Sequence, residues 1–233
     1  MRLRAFVAAT ALAIGGVGHL CAQPSISYFD FPSGGITGST ATFVSIKFPK
    51  GISIAVPRAW RVLGKDELQI IETTTGAVMD LTGIDADFSD ELLLVAANSM
   101  PRTTYATMRL TLEKPLMDPK EIRQLFAFVG QSSRTSPELR KMAGDFRAVH
   151  SSLLKAINQQ IIGELELRVD RFGRRPALVT QYQRTGLKGP VAVQINYILG
   201  AETDANLTLS YRETEGVLWK PVLGRIRHSL QVQ

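Results

Sequence analysis

From Gly163 to Arg212 apolar and polar residues alternate with a period of two, and only short turns interrupt them. Leu165, Leu167 and Val169 alternate with Glu164, Glu166, Arg168 and Asp170, and Phe172-Gly173-Arg174-Arg175 reverses the chain. The residues Ala177 to Arg184 return, Gly186-Leu187-Lys188-Gly189 turns again, Val191 to Leu199 follow, and Thr203-Asp204-Ala205-Asn206 leads into Leu207 to Arg212. Alternation over such lengths is the pattern of strands buried on a face, and short Gly-containing connections join antiparallel neighbours. A four-strand antiparallel meander is therefore expected here.

The other elements must pack on that sheet. Upstream, Val44, Ile46 and Phe48, then Ile52, Ile54 and Val56, alternate on either side of Pro49-Lys50-Gly51, which predicts a β-hairpin. Extended pieces are expected at Glu67 to Thr73, Ala77 to Leu81, Leu92 to Ala97 and Tyr105 to Leu112. The run Leu92 to Ala97 is apolar on both parities, which suits a strand covered on both faces. Helical signals then take over. Asp118-Pro119-Lys120-Glu121 has the order of a capped helix start ahead of Ile122, Leu125, Phe126 and Val129. Ser136-Pro137-Glu138 starts a second helix, whose stripe runs through Leu139, Met142, Phe146, Val149, Leu153 and Ile157. A closing helix carries Val217, Leu218, Val222, Ile226 and Leu230, with Pro221 near its start. Strands, a helical insert, a meander and a final helix make an α+β fold, an antiparallel sheet with helices packed on it. No repeat or low-complexity linker divides the chain, so residues 43–233 are expected to form a single domain after an irregular arm at 23–42.

The first 22 residues read as a secretory signal peptide. Arg2 and Arg4 precede an apolar run from Ala5 to about Val17, and Ala22 offers a small residue for cleavage. The run is too short to span a bilayer, and no later segment is continuously apolar over the roughly 20 residues required, so no integral membrane segment is expected. Cys21, the sole cysteine, stands where a lipidated N-terminus could form. Lipoprotein signals carry a small residue just before that cysteine and an aliphatic one three before it. This chain has Leu20 and Gly18 there, so cleavage after Ala22 is favoured. A periplasmic or secreted location follows, and the exported chain has no thiol for a disulfide or a nucleophile. Taking Arg2 and Arg4 from the 27 Lys+Arg leaves 25 against 21 Asp+Glu, too mild a balance for a nucleic-acid footprint.

Catalytic patterns are missing. The chain has no HExxH and no GxSxG elbow, and His150 and His228 lie far from any ligand spacing, so no metal and no cofactor are expected. His150, one residue after Val149, is expected at the helix boundary in a structural role, and His228 on a polar face. The acidic stretch Asp85, Asp87, Asp90, Glu91 lacks the EF-hand positions; a solvated loop is expected, with weak calcium binding as the sharper reading. Gly34-Gly35 with Gly38-Ser39-Thr40 lacks the lysine of a phosphate loop and reads as a hinge.

Three segments resemble the PsbP-like sandwich family, including its small bacterial secreted members: GISIAVPRAWRV (Gly51 to Val62), RPALVTQYQRTG (Arg175 to Gly186) and LTLSYRETEGVLWKPVLGRIRHSL (Leu207 to Leu230). The shared features are an opening hairpin ending in a proline and a tryptophan, a late meander, and a final helix ending in a small residue, here Ser229. The resemblance implies an α/β/α sandwich around an antiparallel sheet, and members that are accessory, binding or chaperone-like proteins. It supplies no catalytic set.

The expectation is thus a secreted or periplasmic accessory protein that binds, with another protein as partner. A lipid or small-ligand carrier with a cleft beneath the long helix is the alternative, and a hydrolase ranks third. The residues proposed for binding are Arg171, Arg174 and Arg175, from the basic cluster that also holds Arg168. Meander geometry offers a plainer account of the cluster. Alternate turns share one end of the sheet, which would set Arg174 and Arg175 in exposed ion pairs with Glu202 and Asp204.

Overall fold

The computed structural model describes residues 41–64, 66–69, 91–98, 104–115, 117–200 and 202–232. The signal peptide, Cys21, all but the last two residues of the arm, the extended piece at Ala77 to Leu81 and Asp85, Asp87 and Asp90 lie outside them.

Two antiparallel sheets form. Strands β1 (Phe43–Phe48) and β2 (Ile52–Pro57) make the opening hairpin, and β10 (Gln231–Val232) pairs with β2 to complete a three-stranded sheet. The larger sheet contains β3 (Trp60–Val62), β4 (Glu91–Asn98), β5 (Ala106–Glu113), β6 (Ile161–Phe172), β7 (Arg175–Arg184), β8 (Val191–Ile198) and β9 (Asp204–Arg212). Its order is β3-β4-β5-β9-β8-β7-β6, so the expected meander is one continuous half of the sheet. Gly173 turns β6 into β7 with φ +59°, a conformation that costs a glycine nothing and sets Phe172 opposite Arg175.

Strand alternation divides the core in two. One face presents Ala106, Met108, Leu110, Val179, Leu207, Leu209 and Tyr211 to the small sheet and to α3 (Gly216–Ser229), which adds Trp219, Val222, Leu223 and Ile226. The other face presents Leu167, Val169, Leu178, Tyr182, Val193, Ile195 and Tyr197 to α1 (Pro119–Leu125) and α2 (Pro137–Ala156). The result is an α/β/α sandwich. Both helix starts form as their sequences require. Asp118 accepts from the Lys120 and Glu121 backbone N–H groups in a full capping box, and Ser136 accepts from Leu139 N at 3.3 Å.

The small sheet is fastened by the features that carried the family resemblance. Pro57 ends β2, and Trp60 then enters the large sheet opposite Asn98, with its ring edge-on to Trp219 at 5.9 Å. Ser229, at the end of α3, accepts from Ala55 N at 2.8 Å and donates to Ile226 O at 2.7 Å. A larger residue there would hold the helix end away from the hairpin.

Five expectations need correction. The extended piece at Glu67 to Thr73 starts instead as a helical turn at 66–69, because Leu68 N reaches Gly64 O at 3.0 Å and Glu67 accepts from Gly64 N and Arg61. Strand β4 is buried on one parity only: Leu92, Leu94 and Ala96 are covered while Leu93 and Val95 are half-buried. Among the described residues only the three-residue β3 lies beyond it, and the α1/α2 core reaches β6, β7 and β8. Strand β9 starts at Asp204 rather than Leu207, since the Asp204 carboxylate accepts from Gly200 N at 2.8 Å and tightens the turn. In α3, Val217 and Leu218 are 96% and 47% exposed, and the buried stripe is Trp219, Val222, Leu223 and Ile226. Pro221 lies inside that helix and leaves the Val217 carbonyl, on the solvent side, without its helical donor. In α2 the stripe holds His150, and Val149 is half-buried.

Candidate functional site

Three turns meet at one end of the sandwich. The β1–β2 turn brings Lys50, the start of β7 brings Arg175, and the β8–β9 turn brings Glu202 and Thr203. Between them lies an open cleft of about 350 Å³. Its floor is apolar, made by Ile52, Leu112 and Ala205, all buried, with Val232 from the last strand. The rim therefore carries two cations and one carboxylate over an apolar base. Lys50 is well exposed and lies 3.9 Å from the equally exposed Glu91, a contact worth little in water. Arg175 is held close to the turn: a Cβ on Gly200 would fall 2.7 Å from its Nη1 and 2.2 Å from Thr203 O, so position 200 must be glycine for the guanidinium to lie there.

The members of the basic cluster have different surroundings. Arg175 lines the cleft and Arg174 is exposed at the adjoining turn. Arg171 leaves the group, its guanidinium 5.4 Å from the ring centre of Phe126 just after α1. Arg168 lies 3.7 Å from Asp170 on its own strand. The β6–β7 and β8–β9 turns share an end of the sheet, as meander geometry requires. Asp204, however, is buried rather than exposed, with its carboxylate on Gly200 N.

A second polar centre was not anticipated. Arg227 on α3 is buried, donates from Nε to Asn196 Oδ1 at 3.0 Å and from its terminal nitrogen to Asp170, and stacks 4.5 Å from the Phe172 ring centre. Burial works against charge on Asp170, yet the Arg171 backbone N–H, Arg227 and Arg168 outweigh it and hold that carboxyl below the ordinary range. Burial likewise lowers Arg227, and Asp170 opposes it. The signal in the sequence was position: Arg227 is four residues after Leu223, on the buried face of the helix. This centre ties α3 to β6 and β8.

Neither His150 nor His228 has a catalytic partner among the described residues. His150 donates from Nδ1 to Phe146 O at 2.8 Å and is enclosed by the rings of Phe146 and Tyr182, and burial lowers it to about 4. His228 is exposed and bonds to Gly224 O of its own helix. Among the described residues no group of three or more His, Cys, Asp or Glu side chains could hold a metal, and no helix is long and apolar enough to cross a membrane.

No family model and no curated protein matches the chain. Among solved structures it is similar to cyanobacterial PsbP of Synechocystis sp. PCC 6803, at 10% identity and TM-score 0.47, over 87% of this chain and 99% of that one. It is also similar to LpqN of Mycobacterium tuberculosis, a protein described as involved in cell envelope biogenesis, at 14% identity and TM-score 0.39, over 83% and 91%. A third match, from Bacteroides thetaiotaomicron, has 8% identity and TM-score 0.31, over 78% and 45%.

Proposed function

We propose that this chain is an extracytoplasmic accessory protein that acts by binding another protein, through the cleft at the Arg175 end of the sandwich. The N-terminal signal pattern supports the location. The observation that carries the binding role is the cleft itself, an apolar floor of Ile52, Leu112, Ala205 and Val232 under a rim of Lys50, Arg175 and Glu202. An apolar centre inside a charged rim is the composition of a small protein-recognition site: the floor contributes affinity and the rim selects a partner segment with an apolar side chain flanked by acids.

The carrier alternative needs a cleft beneath the long helix. Directly under that helix Leu139, Met142, Phe146 and Leu154 share one core with Leu167, Leu178, Val193 and Ile195, and the space left open is a groove at the helix edge lined by arginines rather than an apolar lipid cleft. Protein binding is therefore the preferred function.

A photo-crosslinking amino acid at position 50 or 202, introduced into the exported protein in its native cells, tests the proposal. One discrete crosslinked protein is expected, lost with Arg174→Glu/Arg175→Glu and weakened by salt, while the variant's circular dichroism stays unchanged. Equal crosslinking by the charge-reversed protein would remove the cleft from the interface.

A further inference from the structure

On the opposite face of the large sheet, α2 and β6 enclose a groove of about 450 Å³. Its lining includes Arg134, Arg140 and Arg147 with the exposed Glu164; Arg134 is paired at 3.9 Å with the buried Glu166, so Arg140 and Arg147 carry the positive charge. Ala143 and Gly144 of the helix form its floor. Arg140 donates from Nε to Ser133 O and from a terminal nitrogen to Arg134 O, each at 3.2 Å, and Arg147 donates to Gly163 O at 2.5 Å. These bonds fix both side chains and use only a minority of the five N–H groups that each carries. Neither has an acidic partner within 4.0 Å among the described residues. Arg168, Arg212 and Arg227, by contrast, all sit beside carboxylates.

Gly144 is the second observation. It stands in the middle of a 20-residue helix, where glycine is the poorest residue short of proline. No neighbour demands it, because a Cβ built there meets nothing within 4 Å. The helix carries an unfavourable residue where a side chain would occupy part of the groove between Arg140 and Arg147.

We infer that this groove binds a small organic molecule bearing two oxyanion groups, phosphate or carboxylate, one at each end of the gap over Gly144. Arg140 and Arg147 are seven residues apart on one helix face, an axial separation of roughly 10 Å, so two anionic groups match the site better than one. Guanidinium forks suit both kinds of oxyanion. The volume is that of a small-molecule pocket.

Calorimetric titration of the full exported protein with fructose 1,6-bisphosphate and with citrate tests the inference, with fructose as the uncharged control. At least one of the two anions is expected to bind saturably and to weaken with salt, while fructose gives no heat. Arg140→Gln/Arg147→Gln should weaken that binding by roughly tenfold or more. Gly144→Glu, which fills the groove and reverses its charge, should abolish it, and Gly144→Ala should raise Tm, confirming that the helix tolerates the position. The inference is overturned if neither anion binds at millimolar concentration, or if both groove variants bind as the parent does. Binding to phosphatidylglycerol vesicles and to neither soluble anion would overturn the small-molecule assignment in favour of a lipid surface.

Discussion

Acidification should destabilise this fold through one buried side chain, His150. Its Nδ1–H is spent on Phe146 O, and the ring stacks on Phe146 at 6.1 Å and meets Tyr182 edge-on at 5.5 Å, so a proton on Nε2 would place a charge among aromatic rings with no protein acceptor. Burial accordingly lowers the imidazole from 6.5 to about 4, with the bond to Phe146 opposing in part. Between those pH values the unfolded chain binds a proton that the folded chain excludes, so unfolding takes up a proton and stability falls as pH drops from about 6.5 towards 4. At about 1.4 kcal/mol per unit, the loss attributable to His150 reaches roughly 3 kcal/mol at the lower limit. Urea unfolding of the parent and His150→Leu at pH 7.5, 6.5, 5.5 and 4.5 isolates it, because the two proteins differ at that side chain alone. The gap between the two stabilities should shift in favour of the variant by that amount on acidification. Parallel curves, or an NMR titration of His150 near pH 6.5, would refute the burial argument.

Three further outcomes follow from the packing. Phe146 is fully buried and meets Tyr197 edge-on at 5.7 Å, so Phe146→Ala should cost about 3–5 kcal/mol in chemical denaturation, whereas exposed Lys155→Ala should cost almost nothing. Arg227→Met strands Asn196 Oδ1 and the Asp170 carboxylate, which is itself 35% exposed, and should cost about 1–3 kcal/mol; adding Asp170→Asn should recover part of it, and strict additivity would show that the two do not interact. Ser229→Ala removes the acceptor for Ala55 N and should cost about 1 kcal/mol, with faster hydrogen exchange at Ala55 and its neighbours in β2 as the local sign.

The basic cluster shows how far site residues could be read without coordinates. Arg171, Arg174 and Arg175 are close in sequence, but a strand sends successive side chains to opposite faces. Arg175 consequently lines the cleft while Arg171 turns to Phe126. Lys50, the other cation of that rim, comes from a hairpin more than a hundred residues upstream, and no spacing rule links the two. The arginine groove is similar: Arg140 and Arg147 share a helix face that periodicity reveals, but the space above Gly144 exists only because β6 runs beside the helix at a distance.

The sequence by itself determined the elements whose causes are local. Period-two alternation and turn residues set the meander and the hairpin, and capping side chains with a proline at the first turn started α1 and α2. Local signals failed where the outcome depended on what lay across a face. The alternation at Glu67 yielded to the bonds its carboxylate accepts from Arg61 and Gly64 N, the parity of β4 depended on α1 and α2, which among the described residues reach β6, β7 and β8 instead, and His150, polar in the sequence, was drawn into the stripe between Phe146 and Tyr182. Burial is a property of two surfaces, and a chain specifies only one of them at a time. Tertiary structure alone decided which face of α3 was covered, which arginines were paired, and where the cleft and the groove stayed open.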